Sequence, residues 1–236
     1  MQMQNTIKND GRIVTHVKQH EIIVPGKRLG RHVLIDPKSA GYRLSKTPSK
    51  EIGNVTHVRN VPIFDQGEIG SCEGNAWAGA ISTGPFIYNL NENNAVQIYA
   101  KATTLDNIYG TYPPDDTGTS TIAAAKACRS LGLIKGWANA FHLTEMLQGL
   151  MGTSCVFACD WYEGFDDPSS TGLVKAKGSA RGGHAFEAVQ IKYRDKRVRF
   201  ANSWGTSYGD KGYFEMAFAT IEALFRTGAD CSFPIV

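Results

Sequence analysis

Past residue 70 the chain carries two hydrophobic patterns, one after the other. Residues 72–82, Cys-Glu-Gly-Asn-Ala-Trp-Ala-Gly-Ala-Ile-Ser, are mostly small and apolar and predict a buried helix. Gly74 and Gly79 lower its intrinsic propensity. Asn93 or Asn94 is placed to cap a second helix that runs to about Leu105. Ser120 opens a third, Thr-Ile-Ala-Ala-Ala-Lys-Ala-Cys-Arg-Ser-Leu, which Gly132 ends. Leu143, Met146, Leu147 and Leu150 repeat at helical spacing. After Gly152 the pattern becomes strand-like: Cys155 to Trp161, His184 to Tyr193, Arg197 to Ala201 and Gly212 to Met216. Ala185, Val189 and Ile191 are expected on one face of the second of these strands. Helices followed by strands predict an α+β protein with a helical lobe and a β lobe. A cleft between the two is where a site is expected.

Ahead of this region, residues 1 to about 45 are polar, basic and broken by Gly and Pro. Apolar pulses at Ile13-Val14 and Ile22-Ile23-Val24 suggest short strands. Lys27, Arg28, Arg31 and His32 form a small basic cluster expected on a solvated face. The division this implies is an extension at 1–45 and a catalytic-sized domain at 46–236.

Composition narrows the function classes. Apolar residues make up 42% and charged residues 20%, which excludes a disordered chain. The net charge of +3 gives no reason to expect a nucleic-acid partner. No apolar run reaches the length of a membrane span, and the first residues lack a secretory signal pattern. A cytoplasmic protein without a membrane partner is expected. Five cysteines at 72, 128, 155, 159 and 231 form no disulfide framework and read as thiols in a reducing compartment. Cys155, Cys159 and His142 fall short of a four-ligand zinc set, and Gly118-Thr119-Ser120 lacks the Lys of a phosphate loop. Neither metal nor cofactor is expected.

Four segments carry candidate chemistry. Gln66-Gly67-Glu68-Ile69-Gly70-Ser71-Cys72 puts a thiol at the start of the first predicted helix, where unpaired N–H groups and the helix dipole favour the thiolate. Gly182-Gly183-His184-Ala185 brings a histidine onto a strand, and Asn202-Ser203-Trp204-Gly205 follows a strand. Gly209-Asp210-Lys211-Gly212-Tyr213 comes last. A thiol, a distant His to exchange its proton, and an Asn to orient the imidazole make a nucleophilic set.

These segments resemble the papain-like (C1) cysteine peptidases, over residues 62 to about 216. Gln66 stands six residues before Cys72, and 202–213 follows the family pattern almost throughout. The resemblance implies the papain-like two-lobe fold and a cysteine endopeptidase that hydrolyses peptide bonds through an acyl-enzyme. In that reading Cys72 is the nucleophile, His184 the general base and acid, and Asn202 its orienting partner. Trp204 covers the Asn–His hydrogen bond. Gln66 and the Cys72 backbone N–H form the oxyanion hole. Gly118, Thr119, Gly183 and Trp204 are the expected substrate-binding residues, and the partner is a polypeptide. Lys27 to Ser39 is similar to leader segments of bacterial and bacteriophage members, which leaves association with a virion open.

The chain departs from the family at three positions. Glu73 replaces the usual Trp and is expected to oppose a neighbouring thiolate. Ile69 replaces a disulfide cysteine, and Gly183 replaces an Asp or Asn before the histidine. Two other readings stand beside the peptidase: an amidase acting on cell-wall or other amides with the same chemistry, and a catalytically weak binding protein that keeps the fold.

Overall fold

The computed structural model describes residues 4–7, 13–16, 27–33, 41–44 and 51–236. The pulse at Ile22-Ile23-Val24 lies outside them. Near the N-terminus β1 (Gln4–Ile7) and β2 (Ile13–His16) pair antiparallel. β3 (Arg31–His32) and β4 (Val55–Thr56) follow. The expected helices are α1 (Cys72–Ile81), α2 (Glu92–Thr103), α3 (Thr121–Ser130) and α4 (Leu143–Leu150). The two-residue β5 (Thr119–Ser120) leads into α3, and β6 (Gly136–Ala140) separates α3 from α4. The rest is β7 (Cys155–Tyr162), β8 (Ala180–Lys192), β9 (Arg197–Ala201), β10 (Tyr213–Ala217), α5 (Phe218–Arg226) and β11 (Asp230–Ile235).

One antiparallel sheet runs in the order β10-β9-β8-β7-β11-β6, with β4 added on β8. Strand β7 explains why the protein has two cores. Cys155, Phe157, Cys159 and Trp161 face one way and meet α4 and α5 residues such as Met146, Leu150, Ile221 and Leu224. Val156 and Ala158 face the other way and meet α1 and α3. The period-2 alternation of a strand sorts these side chains, and burial on both faces explains why 155–161 reads as a nearly continuous apolar run. The result is α+β, with α1–α3 packed on one side of the sheet.

Phe157 is fully buried and has its ring 5.4–5.8 Å from Phe186, Phe200 and Phe225. Phe157→Ala is expected to cost about 3–5 kcal/mol by transfer and cavity terms. Urea unfolding should show a lower midpoint at an unchanged slope.

Two expectations need correction. Helix α2 is capped by Asn91, not by Asn93 or Asn94. The Asn91 and Asn94 side chains bond each other's backbone N–H groups in a reciprocal capping box, and this starts the helix earlier. Ala185, Val189 and Ile191 do not share a face. Ala185 packs with the helical core, whereas Ile191 joins Phe186 and Ala188 in the other. The β8–β9 register shifts between Ala188 and Gln190, so the bulge exchanges the faces. Within α1, Gly74 has a packing reason: a Cβ there would collide with the Ala95 carbonyl of α2.

Candidate active site

Cys72 opens α1, so the unpaired N–H groups of the first turn surround it. The backbone N–H groups of Ala185, Glu73 and Gly30 point at its sulfur and favour the thiolate. Complete burial outweighs them, and the Glu73 charge adds to it, so the thiol is pushed up to about 12. His184 sits on β8 immediately before Ala185, whose N–H reaches the sulfur. Its Nε2 is 2.7 Å from Asn202 Oδ1. That oxygen also accepts from Ser203 N–H at 2.8 Å, which fixes the amide's orientation. An amide oxygen can only accept, so Nε2 carries the hydrogen and Nδ1 is the basic nitrogen. Nδ1 is buried with no hydrogen-bond partner. Burial brings His184 down to about 4 despite the Asn202 bond. Thiol and imidazole are therefore both neutral in this state.

Aromatic rings seal the pair. Trp204 stacks on His184 with centroids 4.7 Å apart, and Trp161 meets it edge-on at 4.9 Å. Trp204 is itself only 3% exposed, so water has little access to the Asn–His bond from that side. Gln66 is held by Ser203 Oγ, which donates to its Oε1 at 2.7 Å. This leaves Gln66 Nε2 donating to the carbonyls of Ile69, at 2.8 Å, and Arg28, at 3.0 Å.

Solved structures similar to this one share its architecture. Xylellain, a cysteine protease from Xylella fastidiosa, superposes with a TM-score of 0.68 at 19% identity, covering 88% of this chain and 96% of that one. The bromelain protease from Ananas comosus, recorded in complex with the E64 inhibitor, gives 0.54 at 17% identity over 74% and 93%. The fold is that of papain-like cysteine proteases. Among curated sequences, an uncharacterized peptidase C1-like protein of Acanthamoeba polyphaga mimivirus is 37% identical over 82 residues. That alignment spans 33% of this chain and 26% of the viral protein. No protein-family model matches the chain.

The papain-like cleft is occupied here by the chain's own residues 28–31. Gly30 lies over Cys72 with its N–H on the sulfur, and its carbonyl accepts from Thr119 N–H at 2.8 Å. A Cβ at Gly30 would collide with the Gly70 carbonyl, so only glycine passes this point. β3 then pairs parallel with β5, Arg31 opposite Thr119. Of the expected substrate-binding residues, Gly118 packs on Gly30, Thr119 bonds it, and Gly183 packs on the Arg31 backbone. Trp204 instead lies against His184. The basic cluster is not the solvated face expected of it. Lys27 pairs with Asp65, Arg28 with Asp116 at 2.9 Å, and His32 Nε2 reaches the Thr117 carbonyl at 2.6 Å. Arg31 is 4% exposed.

Two acidic residues of the site, Asp116 and Asp230, escaped sequence reasoning, and the contacts of a third, Glu73, did too. Asp116 accepts from Gly70 N–H at 3.0 Å and from the Tyr99 hydroxyl at 2.6 Å, holding the loop before Cys72. Asp230 binds Arg31 at 2.7 Å from the far end of the chain. Glu73 is fully buried, and Thr121 Oγ1 donates to its Oε1 at 2.7 Å. For Asp116 the only sequence signal was its place in a Pro-Pro-Asp-Asp turn.

Burial pushes the Glu73 carboxyl up to about 8 from an ordinary value of 4.5. The folded state then holds a proton that the unfolded state releases, so this group's contribution to stability falls as pH rises from 4.5 to 8. Glu73→Gln removes that dependence. The melting-temperature difference, variant minus parent, is expected to grow across this window in scans from pH 4.5 to 8.5. The opposite trend would mean that Glu73 is charged in the fold.

Proposed function

We propose that the protein is a cysteine endopeptidase that hydrolyses peptide bonds through an acyl-enzyme on Cys72. The observation that carries this is the joint placement of Cys72 Sγ beside Ala185 N–H and of His184 with a free Nδ1 and an Nε2 fixed by Asn202. His184 Nδ1 takes the thiol proton as sulfur attacks the substrate carbonyl carbon. The oxyanion forms against Gln66 Nε2 and the Cys72 N–H. His184 returns the proton to the leaving amine, and water then releases the acyl group by the same route. Asn202 keeps the imidazole in the required tautomer, and Trp204 shields that bond. Gly118, Thr119 and Gly183 bind substrate backbone. A peptide backbone already lies in the cleft at 28–31, which favours a polypeptide over a cell-wall amide as substrate.

Residues 1–45 are an extension to a catalytic unit spanning 46–236, and its residues 28–31 close the cleft. The Arg28 carbonyl and the Gly30 N–H take up the oxyanion donor and the nucleophile, so this segment must leave before substrate enters. Five free thiols, Cys155 and Cys231 with sulfurs 3.6 Å apart among them, fit a reducing, cytoplasmic setting. Among the described residues, no helix is long and apolar enough to cross a membrane.

Digestion of casein by the full chain carrying Arg31→Ala tests the reading. Cleavage that disappears when Cys72→Ala is added supports it, and cleavage that survives Cys72→Ala overturns it.

A further inference from the structure

The side chain of Arg31 does more than fill space. It is 1% exposed and enters a pocket one residue from the nucleophile. Its Nη2 donates to Gly228 O at 2.6 Å and to Asp230 Oδ2 at 2.7 Å, its Nη1 lies 3.7 Å from Asp160 Oδ1, and its Nε has no partner. Behind Asp230 stands Glu73. Thr121 Oγ1 lies between the two carboxyls, 2.7 Å from Glu73 Oε1 and 3.3 Å from Asp230 Oδ2. Glu73 Oε2 is buried with no hydrogen-bond partner. The groups within reach of the guanidinium nitrogens, the Gly228 carbonyl and the Asp230 and Asp160 carboxyls, are acceptors.

A buried cation is tolerated only where charge and hydrogen bonds compensate its lost hydration. These walls do so for an arginine. A leucine in the same place would take the donor away from the Gly228 carbonyl and from the partly exposed Asp230 carboxylate and give nothing in return. A lysine would bring the charge but not the planar fork that spans Gly228, Asp230 and Asp160. The same arrangement gives Glu73 a place: the position that is usually Trp in the papain-like family puts a buried carboxyl behind Asp230 at the back of this pocket.

We propose that Asp230, backed by Glu73, makes this cleft select peptides that place an arginine side chain beside Cys72, and that Arg31 is the chain's own occupant of that pocket. The proposal names the substrate class of the peptidase proposed above and rests on that reading. Asp230 is a specificity-determining residue here, since it touches the side chain that is recognised.

The test uses the full chain with Arg31→Ala, which vacates the pocket. Binding of N-acetyl-arginine amide, N-acetyl-lysine amide and N-acetyl-leucine amide is measured by thermal shift, a readout that needs no turnover. The expected result is binding of the arginine compound at least tenfold tighter than the leucine compound. That preference should be lost when Asp230→Asn is added. Equal or tighter binding of the leucine compound overturns the proposal, as does a preference that survives Asp230→Asn. A preference for arginine in a protein that never cleaves casein keeps the pocket and defeats the peptidase reading. Casein cleavage without the preference does the reverse. Should Arg31→Ala fail to fold, Asp230→Asn in the otherwise unchanged chain replaces it. There, alkylation of Cys72 by iodoacetamide should quicken at least fivefold as Arg31 loosens, and an unchanged rate overturns the proposal.

Discussion

In the Arg31→Ala background, His184→Ala is expected to lower kcat/KM for peptide hydrolysis by about four orders of magnitude or more, a loss typical of removing one member of a nucleophile–base pair. The structure gives the reason. His184 Nδ1 is the one basic nitrogen of the imidazole, and Nε2 is committed to Asn202. Without it the thiol stays protonated, because burial disfavours the thiolate. Cys72→Ser should cost at least as much, since a hydroxyl is a weaker nucleophile against the same base. Initial rates on a fluorogenic peptide check both, and circular dichroism confirms that the variants fold.

The second large effect belongs to Gln66. Gln66→Ala is expected to lower kcat by about 10²–10³, equivalent to about 2.7–4 kcal/mol of lost oxyanion stabilisation, with KM nearly unchanged. Its Nε2 already donates to a peptide carbonyl, that of Arg28, at 3.0 Å. The Ser203 hydroxyl holds the opposite end of the amide, so the donor is oriented before any substrate arrives. A drop in kcat/KM carried by KM alone would show that Gln66 binds ground state and transition state equally and has no oxyanion role.

The parts of the candidate site stand out in the sequence because each lies in a local motif. Cys72 opens an Ala-rich helix, His184 follows two glycines on a strand, and Asn202 precedes Ser-Trp-Gly. The pocket beside it was not legible. Arg31 and Asp230 are 199 residues apart, and nothing local to either marks a partner. Arg31 reads as part of a basic, solvated cluster until its burial is known, and Glu73 reads only as a carboxylate that opposes the neighbouring thiolate. β11 and α5 were also missed, since 217–236 mixes short apolar stretches with no clear period. The bulge in β8 shows a related limit: alternation predicts faces only while the register holds, and it shifts after Ala188.

The segment over the cleft also accounts for the resting chemistry. With Gly30 on the sulfur and His184 sealed by Trp204 and Trp161, both groups are desolvated and neutral. Gly30 is the part of that segment that touches the sulfur, so its release is expected to relieve part of the burial that holds the thiol up.

Mass spectrometry of the full chain carrying Arg31→Ala, after brief exposure to the epoxysuccinyl inhibitor E64, tests this account most directly. It predicts one adduct, mapped to Cys72, that is absent when His184→Ala is added. No adduct in a folded protein, or an adduct on Cys72 that forms as fast without His184, would contradict it.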